Sequence, residues 1–195
     1  MNLPNKLTVA RVIAVPFFIA FYMLGYHIAA FVIFIAASLT DMLDGKIARK
    51  RGLVTTFGKF VDPLADKLIN LAAIILIAVH ISKKGSAIYG VFATVTALVI
   101  VSREVIITSF RALAASEGTV IAADKLGKIK TVFQDIAIVA LFLDASVLSN
   151  IPFAGELLHW TGAAMLAAAL ALTILSGINY FAANRELVSK IKEDI

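Results

Sequence analysis

Residues 28–47 read IAAFVIFIAASLTDMLDGKI. The first ten are wholly apolar and the first thirteen carry no charge; acids arrive only at Asp41 and Asp44. Twenty residues at a helical rise of about 1.5 Å each cover the roughly 30 Å of hydrocarbon in a bilayer. Read as a membrane helix, this stretch carries two carboxylates near one end, where an isolated charge is costly. Working outward, comparable apolar runs occupy 7–25, 60–81, 87–108, 129–148 and 157–182, which makes six predicted spans in 195 residues. Of all residues 61% are hydrophobic and only 16% are charged, against about a quarter charged in an ordinary soluble globule. The mean hydropathy is +0.94. The expected fold is therefore all-α: a polytopic six-transmembrane-helix bundle forming one domain over 1–195. Pro16 should kink the first span rather than end it. Lys83-Lys84-Gly85-Ser86 and Ser149-Asn150-Ile151-Pro152 read as turns, and 109–128 reads as a connection between spans.

Cytoplasmic loops retain Lys and Arg, so counting them by side orients the chain. With the amino terminus inside, sixteen of the eighteen fall on or near the inner side and only Lys83 and Lys84 fall outside. Six spans then put both termini in the cytoplasm of a multi-pass cell-membrane protein. No signal-peptidase site followed by a soluble mature chain is apparent, so the first apolar run is expected to be retained. A net charge of +5 in so apolar a chain points to the inner membrane face and to anionic lipid or phosphate, not to nucleic acid. The absence of cysteine excludes disulfides, thiol nucleophiles, zinc-thiolate sites and iron-sulfur clusters, leaving oxygen and nitrogen as metal ligands.

The second and third spans hold four carboxylates: Asp41 and Asp44, three apart, and Asp62 and Asp66, four apart. On helices each pair projects from one face, and because consecutive spans run in opposite directions both pairs come to one depth near the cytoplasmic end. Such acids repel one another and must take up protons or share cations. Hard divalent ions, Mg²⁺ or Mn²⁺, match a carboxylate set without cysteine or nearby histidine. Gly45, Ala48 and Gly58 are small positions around the acids, serving either ligand approach or helix packing. Arg49 beside them is placed to pair with a carboxylate or hold a phosphate.

The pattern D-x-x-D-G-x-x-A-R-x₈-G-x-x-x-D-x-x-x-D runs without a mismatch from Asp41 to Asp66 and resembles the signature of the CDP-alcohol phosphotransferases. Asn5-Lys-Leu-Thr8-Val-Ala-Arg11, Ser102-Arg103-Glu104 through Arg111, and Leu126-Gly127-Lys128-Ile-Lys130-Thr131 are similar to the bacterial phosphatidylglycerophosphate synthase branch of that family, so the likeness reaches nearly the whole chain. It implies six transmembrane helices around a polar cavity open to the cytoplasm. It also implies attack of an acceptor hydroxyl on the β-phosphorus of CDP-diacylglycerol, with CMP leaving. By the family's pattern Asp41, Asp44, Asp62 and Asp66 would hold two divalent ions, Mg²⁺ or Mn²⁺, and Asp66 would also be the general base. Asn5, Thr8, Gly45, Arg49, Thr55 and Gly58 would contact the nucleotide and diphosphate of CDP-diacylglycerol, although Asn5 and Thr8 are equally helix-cap types. The likeness further suggests a homodimer, and Gly162, Ala163, Ala164 and 167–169 of the last span could pack within or between subunits.

Basic residues should select the acceptor. Arg103, Arg111 and Lys128 are expected to hold the phosphate of sn-glycerol 3-phosphate, with Glu104 steadying Arg103. Lys125 and Lys130 read as markers of the inner boundary. His27, His80 and His159 fall near predicted outer ends, away from the acids. Serine, inositol phosphate and phosphatidylglycerol are the competing acceptors. A cation or proton transporter is the competing class, but it would need polar residues continuing toward the outer side, and the sequence provides none at matching positions.

Overall fold

A computed structural model of the chain describes residues 3–51, 56–84, 86–116, 119, 121, 125–146, 151–185 and 189, and describes no side chains for 3, 4, 41–51, 56–60, Asp62, Pro63, Asp66, Lys84, Ser146 and Pro152. Six helices occur among the described residues: α1 Leu3–Met23, α2 His27–Arg51, α3 Thr56–Lys84, α4 Ala87–Ser116, α5 Lys125–Ser146 and α6 Pro152–Ala183. Each coincides with one span expected from the sequence. Asn5–Met23, Ala87–Ser116 and Phe153–Ala183 are long and apolar enough to cross a membrane, and His27–Thr40 is a shorter apolar helix. The protein is an all-α membrane protein. Its exposed side chains agree with that environment: Ile88, Phe153 and Trp160 are 85%, 80% and 66% accessible, which lipid tolerates and water does not.

The chain divides into two compact units, Met1–His80 with Phe142–Glu156, and Ile81–Leu141 with Leu157–Ile195. In the first, α1 and α2 form an antiparallel hairpin. Pro16 sits inside α1 without ending it. Gly25, at φ 86°, ends it instead: Tyr26 N–H bonds Phe21 C=O at 2.9 Å and Gly25 N–H bonds Tyr22 C=O at 3.1 Å, the paired return bonds of a glycine-closed helix. Phe21 and Tyr26 meet edge to face, with ring centroids 6.2 Å apart, the contact that usually accompanies this closure. Below the turn, Phe18 and Tyr22 of α1, Phe34 of α2 and Phe142 of α5 form an aromatic core. Phe142 lies 5.7 Å from Phe18 and 5.0 Å from Tyr22 between centroids and is stacked on Phe34 at 6.2 Å.

The second unit starts with the α3–α4 turn. Ser86 Oγ accepts the Tyr89 N–H at 3.3 Å, capping α4. A side chain at Gly90 would bring its Cβ within 2.9 Å of the Ser82 backbone, so glycine lets the end of α3 approach α4. Thr94 Oγ1 donates to the Gly90 carbonyl at 2.8 Å. Where α5 meets α6, a Cβ on Gly162 would fall 2.5 Å from Leu141 Cγ, so this small residue packs within the chain. α4 continues to Ser116, past the predicted end of its span, because Ser109-Phe-Arg-Ala-Leu-Ala-Ala-Ser116 contains no glycine or proline and is rich in strong helix formers. The expected connection over 109–128 is thus helical in its first part, and Arg111 stands on α4.

Candidate active site

The four carboxylates of the signature stand on α2 and α3, and helix register sets their level. In the first unit the rings of Tyr22, His27 and His80 meet, with centroids 4.8 Å apart for Tyr22 and His27 and 5.9 Å for His27 and His80. This cluster pins α1, α2 and α3 together at one end. Along α2, Asp41 and Asp44 lie 14 and 17 residues from His27; along α3, Asp66 and Asp62 lie 14 and 18 residues from His80. At the helical rise, all four backbone positions are about 21–27 Å along their helices from the ring cluster. The aspartate side chains lie outside the described residues, as does that of Arg49. Gly45 and Gly58 are on the same helices, and Thr55 lies outside the described residues altogether.

On α1 the same count reaches a polar end. Thr8 and Asn5 are 14 and 17 residues from Tyr22. They are 0% and 7% accessible, and Arg11 beside them is 2% accessible. The positions 5, 8, 11, 18 and 22 share a helix face, so the buried stripe of α1 is aromatic at one end and polar at the other. Since α1 already runs from Leu3, Asn5 and Thr8 are interior helix residues and not its cap. Arg11 is buried where the positive-inside count treats it as a boundary charge.

The expected acceptor residues belong to the second unit. Arg103 donates through Nη1 to Glu104 Oε1 at 2.8 Å and through Nη2 to Ser176 Oγ of α6 at 3.1 Å. Its stem borders an apolar groove of about 330 Å³ lined also by Leu98, Ser102, Ile106 and Phe181. Arg111, two turns on, is half-buried with its guanidinium 6.0 Å from the Tyr180 ring centroid, within reach of a cation–π interaction. Lys128 is exposed on the first turn of α5, as is Lys125. Arg103 and Glu104 are brought into contact as expected.

Lys130, read from the sequence as a marker of the inner boundary, is placed differently by the structure. It is not at a solvated boundary: it is 2% accessible and donates to Glu104 Oε1 at 2.9 Å. Gln134, one turn on, is 3% accessible, and its Oε1 has no hydrogen-bond partner among the described residues. The signal was periodicity, since 130, 134, 137, 138 and 141 form the inward stripe of α5.

The donor chemistry at the signature end suits hard divalent cations. All four signature positions are aspartates at that level, whereas His27 and His80 are at the ring cluster, so α2 and α3 bring oxygen donors to that end and no histidine. No group of three or more histidines, aspartates or glutamates placed to hold a metal occurs among the described side chains, which do not include these four.

The family model for CDP-alcohol phosphatidyltransferase matches residues 1–175. A CDP-diacylglycerol–glycerol-3-phosphate 3-phosphatidyltransferase of Bacillus subtilis (strain 168) is 39% identical, the match covering 95% of this chain and 96% of that protein. The enzyme of the same name from Rickettsia felis is 36% identical, over 93% of this chain and 94% of its own. A probable phosphatidylglycerophosphate synthase of Mycobacterium tuberculosis (strain ATCC 25618 / H37Rv) is 37% identical over 93% of this chain and 80% of its own. With matches of this length and the signature intact from Asp41 to Asp66, the chain belongs to the CDP-alcohol phosphatidyltransferase family.

Proposed function

We propose that this protein transfers the phosphatidyl group of CDP-diacylglycerol to sn-glycerol 3-phosphate, releasing CMP and forming phosphatidylglycerophosphate. The observation that carries the reading is the buried polar end of α1, with Asn5 and Thr8 at the helical level of the four signature aspartates and Arg11 one turn short of it. The names of relatives that match nearly end to end support the two substrates.

Members of the family generally depend on a divalent metal. Asp41, Asp44, Asp62 and Asp66 would hold two such ions, Mg²⁺ or Mn²⁺. Bound there, the ions supply positive charge for the diphosphate and for the departing CMP. Asn5, Thr8, Gly45, Arg49, Thr55 and Gly58 bind the nucleotide and diphosphate. Arg103, Arg111 and Lys128 hold the acceptor's phosphate, which a dianion requires. Asp66 takes the proton of the attacking hydroxyl; the new bond forms between that oxygen and the β-phosphorus, and the bond to CMP breaks with its electron pair leaving on CMP. Positioning the hydroxyl against phosphorus is the remaining task of the chain's own residues. The whole of 1–195 acts as one catalytic domain, forms a homodimer, and opens its polar cavity, like both termini, to the cytoplasm. The positive-inside count supports that orientation.

The test is CMP release by the detergent-purified protein from CDP-diacylglycerol and Mg²⁺ or Mn²⁺, with glycerol 3-phosphate, serine, inositol phosphate and phosphatidylglycerol offered separately. Release with glycerol 3-phosphate alone is expected. Release with another alcohol alone would keep the reaction and overturn the acceptor; no release from folded protein would overturn both.

A further inference from the structure

We propose that Glu104 is a positioning residue for the acceptor, fixing Arg103 through a carboxylate oxygen that it shares with the buried Lys130. The proposal rests on the acceptor role given to Arg103 above and adds the device that sets its geometry.

Adjacent residues on a helix point about 100° apart and do not face each other. The 2.8 Å bond from Arg103 Nη1 to Glu104 Oε1 is therefore not a consequence of helix geometry; both side chains must turn into the same interhelical space. Lys130 gives the reason. Its side chain is 2% accessible, and a charge so enclosed requires a counter-charge and a hydrogen-bond acceptor. Glu104 Oε1 supplies both at 2.9 Å. The carboxylate drawn toward α5 by Lys130 is then in place to receive Arg103. Ser176 completes the seat from α6: its hydroxyl donates to the Thr173 carbonyl at 3.2 Å and so offers a lone pair to Arg103 Nη2 at 3.1 Å.

The hydrogen count leaves Arg103 usable. A guanidinium has five N–H donors. Among the described residues one on each terminal nitrogen is taken, by Glu104 and by Ser176, and one on each remains for phosphate oxygens. Glu104's single carboxylate oxygen serves two cations, at 2.8 and 2.9 Å, and Asp135 also acts on Lys130, so Arg103's use to a phosphate rests on its remaining N–H donors and not on a surplus of charge.

A buried ion pair replaced by apolar groups of similar size is often neutral or stabilising, which separates positioning from support. Three variants are compared with the wild type for KM of each substrate, kcat and thermal midpoint: Glu104→Leu combined with Lys130→Met, Glu104→Gln, and Arg103→Lys. The double variant is expected to raise KM for glycerol 3-phosphate about tenfold, the worth of one charge-assisted hydrogen bond, and to leave KM for CDP-diacylglycerol within about twofold, whatever the change in its thermal midpoint. If it fails to fold, Glu104→Gln, which preserves size and one acceptor oxygen, gives the same comparison with the same direction expected. Wild-type KM for both substrates in whichever of these folds, or equal loss for both with a lowered midpoint, would overturn the proposal. Arg103→Lys separates the two layers. A raised glycerol 3-phosphate KM there with no effect at Glu104 removes the positioning role only, whereas no effect of Arg103→Lys removes Arg103 as an acceptor ligand and the proposal with it.

Discussion

A carboxylate that is to accept a proton from an alcohol must be unprotonated and within reach of the hydroxyl, and amide replacement removes the basicity while keeping size and shape. Asp66→Asn is therefore expected to reduce kcat by about 10²–10⁴, the usual contribution of a positioned base, with folding and CDP-diacylglycerol binding retained. Retention of full CMP release would exclude Asp66 as base. The duty proposed for Arg111 is different. With its guanidinium 6.0 Å from the Tyr180 ring, Arg111→Ala should raise KM for glycerol 3-phosphate about tenfold while sparing CDP-diacylglycerol, and equal losses for both substrates would argue against a separate acceptor pocket. The carboxylates were legible in sequence because charge inside an apolar run is expensive and so conspicuous. Lys130 was not, because a lysine at the start of a span is also what the inner membrane boundary looks like. Only the packing of α5, which leaves it 2% accessible, distinguishes the two.

At the scale of the helices, two glycines act by opposite physics. Gly25 has φ 86° and nothing within 4 Å of the place a Cβ would occupy, whereas Gly90 has no such backbone demand but would drive its Cβ to 2.9 Å from Ser82 Cα. Gly25→Ala should cost about 1–2 kcal/mol from the left-handed conformation alone, and Gly25→Asn less, since asparagine visits that region more readily. Gly90→Ala should cost about 1–3 kcal/mol through overpacking, with Gly90→Asn worse. Thermal midpoints in detergent for the four variants test this; an asparagine that rescues position 90 but not 25 would reverse the assignment. Six helices could be read from apolar runs, but their ends could not. Leaving the hydrocarbon core does not oblige a helix to stop, so α4 runs on to Ser116 and α3 through Lys84, while α1 closes where Gly25 permits the return bonds.

For the molecule as a whole, orientation decides whether the polar end of α1 and the signature aspartates meet cytoplasmic or external solutes. Alternation of six spans makes this one binary choice, and the charge count, sixteen Lys and Arg against two, supports the cytoplasmic side that we propose. The exposed Lys83 lies on the last turn of α3, toward the ring-cluster end, and the exposed Lys125 opens α5. Because the chain has no cysteine, Lys83→Cys and Lys125→Cys each introduce a sole thiol without touching the residues assigned to substrate. In intact cells a membrane-impermeant maleimide is expected to modify Lys83→Cys at once and Lys125→Cys only after permeabilisation. The reverse pattern would turn the aspartate end outward, away from a cytoplasmic glycerol 3-phosphate pool, and would leave the proposed acceptor without a route to the carboxylates. The same pair of variants thus tests the positive-inside argument and the side from which the acceptor enters.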